Sequence, residues 1–184
     1  MDLGQAFSGI KVLAVARVVA APFAAYQLAL HGADVVHVED PKEGDSARRA
    51  GDFGTEFRKL NLARTFLSYN SNKRSLTLKI NGAEGQAVFR RMAARADVVI
   101  ENFRPGTLEK WGLGYDALKA IRKEIILVRI SAYGQSGPFS GQPGVARIAY
   151  GYAGIAHLTG EADGPPLLPG SSSMGDYAVG LYAA

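Results

Sequence analysis

Residues 96–118 read ADVVIENFRPGTLEKWGLGYDAL. Val98, Val99 and Ile100 make a short apolar run without polar alternation, as in a strand buried on both faces. The run ends at Glu101, and Asn102, Phe103 and Arg104 follow at once. Pro105 and Gly106 turn the chain, and a helical pattern begins after them. Strand, tight polar turn and helix form the repeating unit of a parallel α/β sheet. In such sheets ligands bind in the crevice beyond the carboxyl ends of the strands, which is where Asn102, Phe103 and Arg104 fall. An arginine, an amide and an aromatic ring together suit a ligand with phosphates and a flat base.

The alternation extends in both directions. Residues 10–15 (IKVLAV), 34–39 (DVVHVE), 75–80 (SLTLKI) and 125–131 (IILVRIS) read as further strands. Residues 21–31 read as a helix, with Pro22 near its first turn and Gly32 as its stop. Residues 83–95 read as another, with Asn81 as cap and Glu84 closing a capping box. Helices are expected near 106–111, 115–123 and 146–157, and a last one from Tyr177. Residues 40–72, rich in charge, Gly and Asn, read as one long loop, and 132–144 as a Gly/Ser/Pro loop. The pattern predicts an α/β fold in one domain: a Rossmann-like, open, mainly parallel sheet flanked by helices.

Composition narrows the function classes. The chain has 184 residues, 47% hydrophobic and 21% charged, which describes a globular protein with a real core. It contains no cysteine, which excludes disulfides and thiolate metal sites and fits a reducing, cytoplasmic setting. No apolar run approaches the ~20 residues that span a bilayer, so no membrane partner is expected. The start, MDLGQAFSGIKV, lacks the charged and apolar regions of a signal peptide. The formal charge is +4, and the excess lies in residues 48–74: Arg48, Arg49, Arg58, Lys59, Arg64, Lys73 and Arg74 against Asp52 and Glu56. Such a segment either favours an anionic partner or is a solvated surface. It lacks the aromatic interleaving expected for nucleic acid.

Several common motifs are missing. The turn after strand one, ARVVAAP, has no glycine-rich dinucleotide fingerprint, and no Walker A sequence occurs. His31, His37 and His157 show no metal-ligand spacing, so no metal is expected. Ser171, Ser172 and Ser173 have no nucleophile elbow around them, which leaves a hydrolase triad unsupported.

Six segments, taken in order, carry a resemblance. They are GIKVLAVARVVAAPFAAYQLALHGADVVHVE, NKRSLTLKINGAEG, ADVVIENFRPGTLEKWGLGYDAL, ISAYGQSGP, HLTGEADGPP and MGDYAVGLYAA. Together they resemble the class III CoA-transferases of the CaiB/BaiF type, a family that includes formyl-CoA transferase and α-methylacyl-CoA racemase. The resemblance implies a Rossmann-like domain plus a smaller one, in a homodimer of interlocked chains. Family members are roughly twice as long, so residues 1–184 correspond to the N-terminal part of the CoA-binding domain and the second half is absent. It further implies an acyl-CoA and a carboxylic acid as substrates and no permanently bound cofactor.

The family's nucleophile is an aspartate in a Gly-Asp step, and here it falls on Asp176. Read without the family, Asp176 is an N-cap for the last helix; both roles are compatible. The implied CoA contacts are Arg17, Val18, Val19 and Ala20 at the first helix start; Leu78, Lys79, Ile80 and Asn81 at a strand end; Asn102, Phe103 and Arg104 in the opening turn; and Lys110, where an arginine is common. The apolar members read equally well as sheet packing, and Lys110 as a solvated helix face. Asp40, at a position often basic in relatives, would repel a phosphate. One departure affects the chemistry. Gly144-Val145-Ala146 stands where transferases carry Gly-Tyr-Asp and racemases Gly-His-Asp, so the acid–base pair of a racemase is missing. The implied activity is CoA transfer through an anhydride and a thioester on Asp176. A non-catalytic CoA-binding or assembly subunit is the alternative, and a racemase is disfavoured.

Overall fold

A computed structural model describes residues 5–51, 55–170 and 173–184. Asp52, Ser171 and Ser172, named above, lie outside the described residues, as do residues 1–4. Five strands form one sheet in the order β3-β2-β1-β4-β5: β1 is Lys11–Val15, β2 Asp34–Glu39, β3 Arg74–Thr77, β4 Val98–Glu101 and β5 Ile126–Arg129. Every pairing is parallel. The central β1 is flanked by β2 (Leu13 opposite Val36) and β4 (Ala14 opposite Ile100).

The two-residue period of a strand sorts β1 between two cores. Val12, Ala14 and Ala16 face α1 (Ala20–Leu30), with Val35 and Ile100 beside them. Leu13 and Val15 face the opposite layer, which holds α4 (Ala83–Ala93), α5 (Thr107–Lys110) and α6 (Tyr115–Ile121). There Phe89, Leu108, Leu113 and Leu118 are 0% exposed, each contributing about 1.5–3 kcal/mol by burial.

The α1 layer carries one more helix. Met174–Ala183, labelled α9 below, lies against α1 through a bare glycine. A Cβ on Gly180 would stand 2.8 Å from Phe23 Cδ1 and 2.9 Å from the Ala20 carbonyl oxygen, so only glycine permits this approach. Tyr177 adds an edge contact to Phe23, with ring centroids 5.0 Å apart.

Four sequence expectations are corrected. The stretch 40–72 is not one loop: it contains a 3₁₀ turn (Ser46–Arg49) and two short helices, α2 (Glu56–Lys59) and α3 (Arg64–Asn70). The helix expected over 146–157 is broken into α7 (Ala146–Tyr152) and α8 (Ile155–Thr159), because Gly154 takes the left-handed conformation at φ 78°. Asn81 does not cap α4; Gly82 holds that position in extended backbone with no side-chain capping bond. The last helix starts at Met174, so Asp176 lies inside its first turn and is not its N-cap.

Candidate active site

The opening turn is held by its amide. The Asn102 Oδ1 accepts from the Arg17 N–H at 2.9 Å, and the Asn102 Nδ2 donates to the Arg17 carbonyl at 2.8 Å. This pair of bonds ties the turn after β1 to the turn after β4. The amide read from sequence as a ligand contact thus grips the backbone of its neighbour. Next to it, the Val18 N–H donates to both carboxylate oxygens of Asp45, at 3.0 and 3.2 Å. Val18 needs that anchor: its φ is 70°, a conformation that costs a β-branched residue of order 1–3 kcal/mol.

Phe103 is fixed from below. Glu101, 1% exposed, accepts from the Phe103 N–H at 2.6 Å and from Arg129 Nε at 2.8 Å. Burial raises the Glu101 carboxyl above its ordinary range, while Arg129 and the Phe103 N–H oppose the rise. Arg129 also bonds Glu109 on α5. The Phe103 ring meets Trp111 edge-on, with centroids 5.2 Å apart.

Three adjoining cavities meet at this turn. The first, about 50 Å³, lies beyond the strand ends among Arg17, Leu78, Ile80, Asn81, Phe103 and Trp111, with Glu39 and Asp40 on its rim. The Asp40 carboxylate is folded into its own turn, accepting from the Lys42 and Glu43 N–H groups. The second, a groove of about 290 Å³, takes in Asn102, Phe103, Arg104, Ser131 and Val145. The third, about 250 Å³, is walled by Ala20, Asn102, Ile130, Val145, Ala146 and Val179, and it contains Asp176. Phe103 is shared by the first two and Asn102 by the last two.

Asp176 is half-buried on the first turn of α9. No described residue hydrogen-bonds or ion-pairs with it, and burial raises its carboxyl above the ordinary value. It is the one ionisable group among the described residues lining its cavity. Among the described residues lining the cavity no cation faces the carboxylate, and its place in the first turn of a helix favours its charge. The preceding residue is tied down: the Gly175 N–H donates to Tyr150 Oη at 2.7 Å.

The predicted contacts therefore divide. Arg17, Leu78, Ile80, Asn81 and Phe103 come together in the first cavity, Asn102 and Arg104 in the groove, and Ala20 beside Asp176. Val18, Val19, Lys79 and Lys110 line none of the three. Val19 is buried, Lys79 sits by the start of α4, and Lys110 is exposed on α5. Sequence reasoning missed Trp111, Asp45 and Tyr150. Trp111 lies eight residues after Phe103 on the far side of a helical turn, and the tryptophan in EKWGLG was the available signal. Val18, which Asp45 anchors, and Gly175, which Tyr150 holds, lie 27 and 25 residues from them.

A buried charge cluster supports the same edge. Asp45 is 0% and Glu39 5% exposed. Arg48 bonds both Glu39 oxygens, at 2.8 and 2.6 Å. Burial raises the Glu39 carboxyl, but Arg48 and the Asp45 N–H more than offset it, leaving it lowered. Lys73, donating to the Pro22 carbonyl and Asn70, is lowered by burial to about 7. His37, 2% exposed, has no hydrogen-bond partner at either ring nitrogen, and burial first, then the Lys73 charge, lowers it to about 4. Much of the basic excess of residues 48–74 is consumed this way: Arg49 bonds the Glu43 carbonyl, Lys59 pairs with Glu56 and Arg74 with Asp34. Among the described residues, no group of three His, Asp or Glu side chains is placed to hold a metal ion, and no helix is long and apolar enough to cross a membrane.

Comparison with known proteins gives a consistent result. The beta subunit of succinyl-CoA–L-malate CoA-transferase from Chloroflexus aurantiacus is 49% identical over 95% of this chain and 42% of its own length. Human succinyl-CoA:glutarate CoA-transferase is 40% identical over 95% of this chain and 39% of its own. The crystal structure of a CAIB/BAIF family protein from Brucella suis superposes with a TM-score of 0.88 at 38% identity, covering 98% of this chain and 47% of that one. The chain thus spans less than half the length of the relatives it matches. The model of CoA-transferase family III matches residues 7–184, and the chain belongs to that family.

Proposed function

We propose that this chain carries the nucleophile and much of the CoA site of an enzyme that moves CoA from an acyl-CoA to a carboxylic acid. The observation that carries the reading is the Asp176 carboxylate: half-buried, without an ion pair or hydrogen bond among the described residues, in a cavity continuous with the Asn102–Arg104 groove. A desolvated carboxylate that no donor occupies is a competent nucleophile. One of its oxygens attacks the thioester carbonyl, the C–S bond breaks, and CoA leaves as thiolate from an acyl-aspartyl anhydride. The thiolate then attacks the aspartyl carbonyl, releasing the donor acid and leaving an aspartyl thioester. The acceptor carboxylate attacks that thioester, forming a second anhydride and freeing the thiolate again. Attack of the thiolate on the acceptor carbonyl gives the new acyl-CoA and restores Asp176.

Along the three cavities in order, the adenine lies at the mouth of the cleft by Phe103 and Trp111, which at about 50 Å³ does not enclose it; Arg104 faces the phosphates or pantetheine in the groove, and the thioester reaches Asp176. Arg17 adds charge at the rim, its side chain 43% exposed and only loosely paired with Glu43 at 3.8 Å. Racemisation is disfavoured because, with Val145 and Ala146 in its wall, the cavity holds no second acid–base group among the described residues. The relatives named as alpha and beta subunits support pairing of two chains of this kind.

Succinyl-CoA or succinate recurs in the relatives' names, which makes succinyl-CoA with malate or glutarate the first pairs to assay in the natural full-length protein. Hydroxylamine added with acyl-CoA alone is expected to convert residue 176 to a hydroxamate, located by peptide mass spectrometry. Asp176→Ala is expected to abolish both the trapping and the transfer. Turnover retained in that variant refutes the assignment, and binding of CoA with no trapping in the wild type favours a non-catalytic binding subunit.

A further inference from the structure

Asp176 makes no bond of its own with the described residues, so its direction depends on the turn that bears it. That turn begins at Met174 and is not capped by its own flanking side chain: Ser173, at the N-cap position, makes no side-chain capping bond. The first amides of a helix need acceptors. Here the acceptor comes from another helix. Tyr150, on α7 and 1% exposed, accepts from the Gly175 N–H at 2.7 Å. The packing is tight as well: a Cβ on Gly175 would lie 3.1 Å from Tyr150 Cε1. The same α7 contributes Ala146 and Ala149 to the cavity wall beside Asp176.

We propose that Tyr150 is a positioning residue for Asp176. Its phenolic oxygen caps α9 from outside and fixes the residue adjacent to the nucleophile, so that the carboxylate meets the acyl carbon at reacting distance. Tyr150 does not line the cavity and touches no substrate in this scheme. The inference rests on the transfer reading above.

The rest of α9 is anchored independently, through Gly180 against Ala20 and Phe23 and through Tyr177 against Phe23. Removing the phenolic oxygen therefore frees the first turn while the helix stays docked. A displacement near 1 Å can cost about 100-fold in rate, and a partly freed turn is expected to cost about tenfold.

The test uses Tyr150→Phe in the natural full-length protein, mixed with acyl-CoA in a single turnover. The amplitude of CoA thiolate release, with hydroxylamine trapping at residue 176, counts assembled sites; the rate constant reads the aim of the nucleophile. The expected result is wild-type amplitude, a rate constant lowered about tenfold, and a KM for acyl-CoA within about twofold of wild type. A rate constant unchanged from wild type overturns the proposal. So does a loss of amplitude at unchanged rate, which is the signature of a simple brace. If Tyr150→Phe does not fold, Gly175→Ala decides: its added methyl pushes the turn off the ring and is expected to lower the rate constant at full amplitude, and an unchanged rate there overturns the proposal. Absence of trapping in the wild type overturns the transfer reading and this inference together, whereas a trapped wild type with an unaffected Tyr150→Phe overturns this inference alone.

Discussion

His37→Leu should flatten the acid limb of the stability curve. In the folded chain His37 is 2% exposed, with neither ring nitrogen hydrogen-bonded and with Lys73 and Arg48 nearby. Burial and then the Lys73 charge lower it from 6.5 to about 4. As pH falls below 6.5 the unfolded chain takes up this proton first, so acid favours unfolding; above 6.5 the group has no effect on stability. The gap between 6.5 and about 4, at about 1.36 kcal/mol per pH unit, amounts to about 3 kcal/mol, nearly all of it lost by pH 4. Lys73, lowered from 10.5 to about 7, contributes a slope between those values and none in the acid window. Glu39 and Asp45 titrate in both proteins, and because the His37 charge also helps hold the Glu39 carboxyl down, their contribution cancels only in part. Urea unfolding of wild type and His37→Leu at neutral pH and near pH 4 measures the effect. The variant should lose about 3 kcal/mol less than wild type over that interval. Equal losses in the two proteins would refute the argument that a buried neutral imidazole resists protonation here.

Two further substitutions probe the supports of the site. Asn102→Ala removes both partners from the Arg17 main chain and should cost about 2 kcal/mol, a fall in Tm of about 4–8 °C for a chain of this size; a thermal scan checks it, and a fall under about 1 °C contradicts the clamp. Gly180→Ala forces a methyl against the Ala20 carbonyl oxygen and the Phe23 ring, and should destabilise by about 1–3 kcal/mol in urea titration.

The sheet was legible because its strands are short apolar runs bounded by turn residues, and a parallel sheet covered on both faces demands such runs. The position of Asn102, Phe103 and Arg104 at a strand end followed from the same pattern. What escaped had physical reasons. Helices of four to seven residues, such as Glu56–Lys59 and Arg64–Asn70, show too few turns for a 3.6-residue period to appear. The capping role read for Asn81 failed because Gly82, in extended backbone, takes the cap position one residue later. Asp176 read as a cap because a Gly-Asp step before an apolar run has that look, yet the helix starts two residues earlier at Met174. The tie that Asn102 makes between two turns, beside its place on the cavity wall, escaped because its partner lies 85 residues away. The Glu39, Asp45 and Arg48 cluster needs the 3₁₀ turn after β2 to bring its members together, and no periodicity announces such a turn.

The Asn102 clamp separates shape from charge at the rim of the first cavity. Both of its partners at residue 17 are main-chain groups, an N–H and a carbonyl that every amino acid except proline supplies. The side chain at 17 is thus exchangeable: glutamine, lysine or alanine could stand there and the turn would keep its path. Residue 102 has no such latitude. Aspartate lacks the donor, serine offers one atom where two are used, and glutamine overreaches by a methylene. One position adjusts what the rim attracts, and the other holds the rim still while it is adjusted.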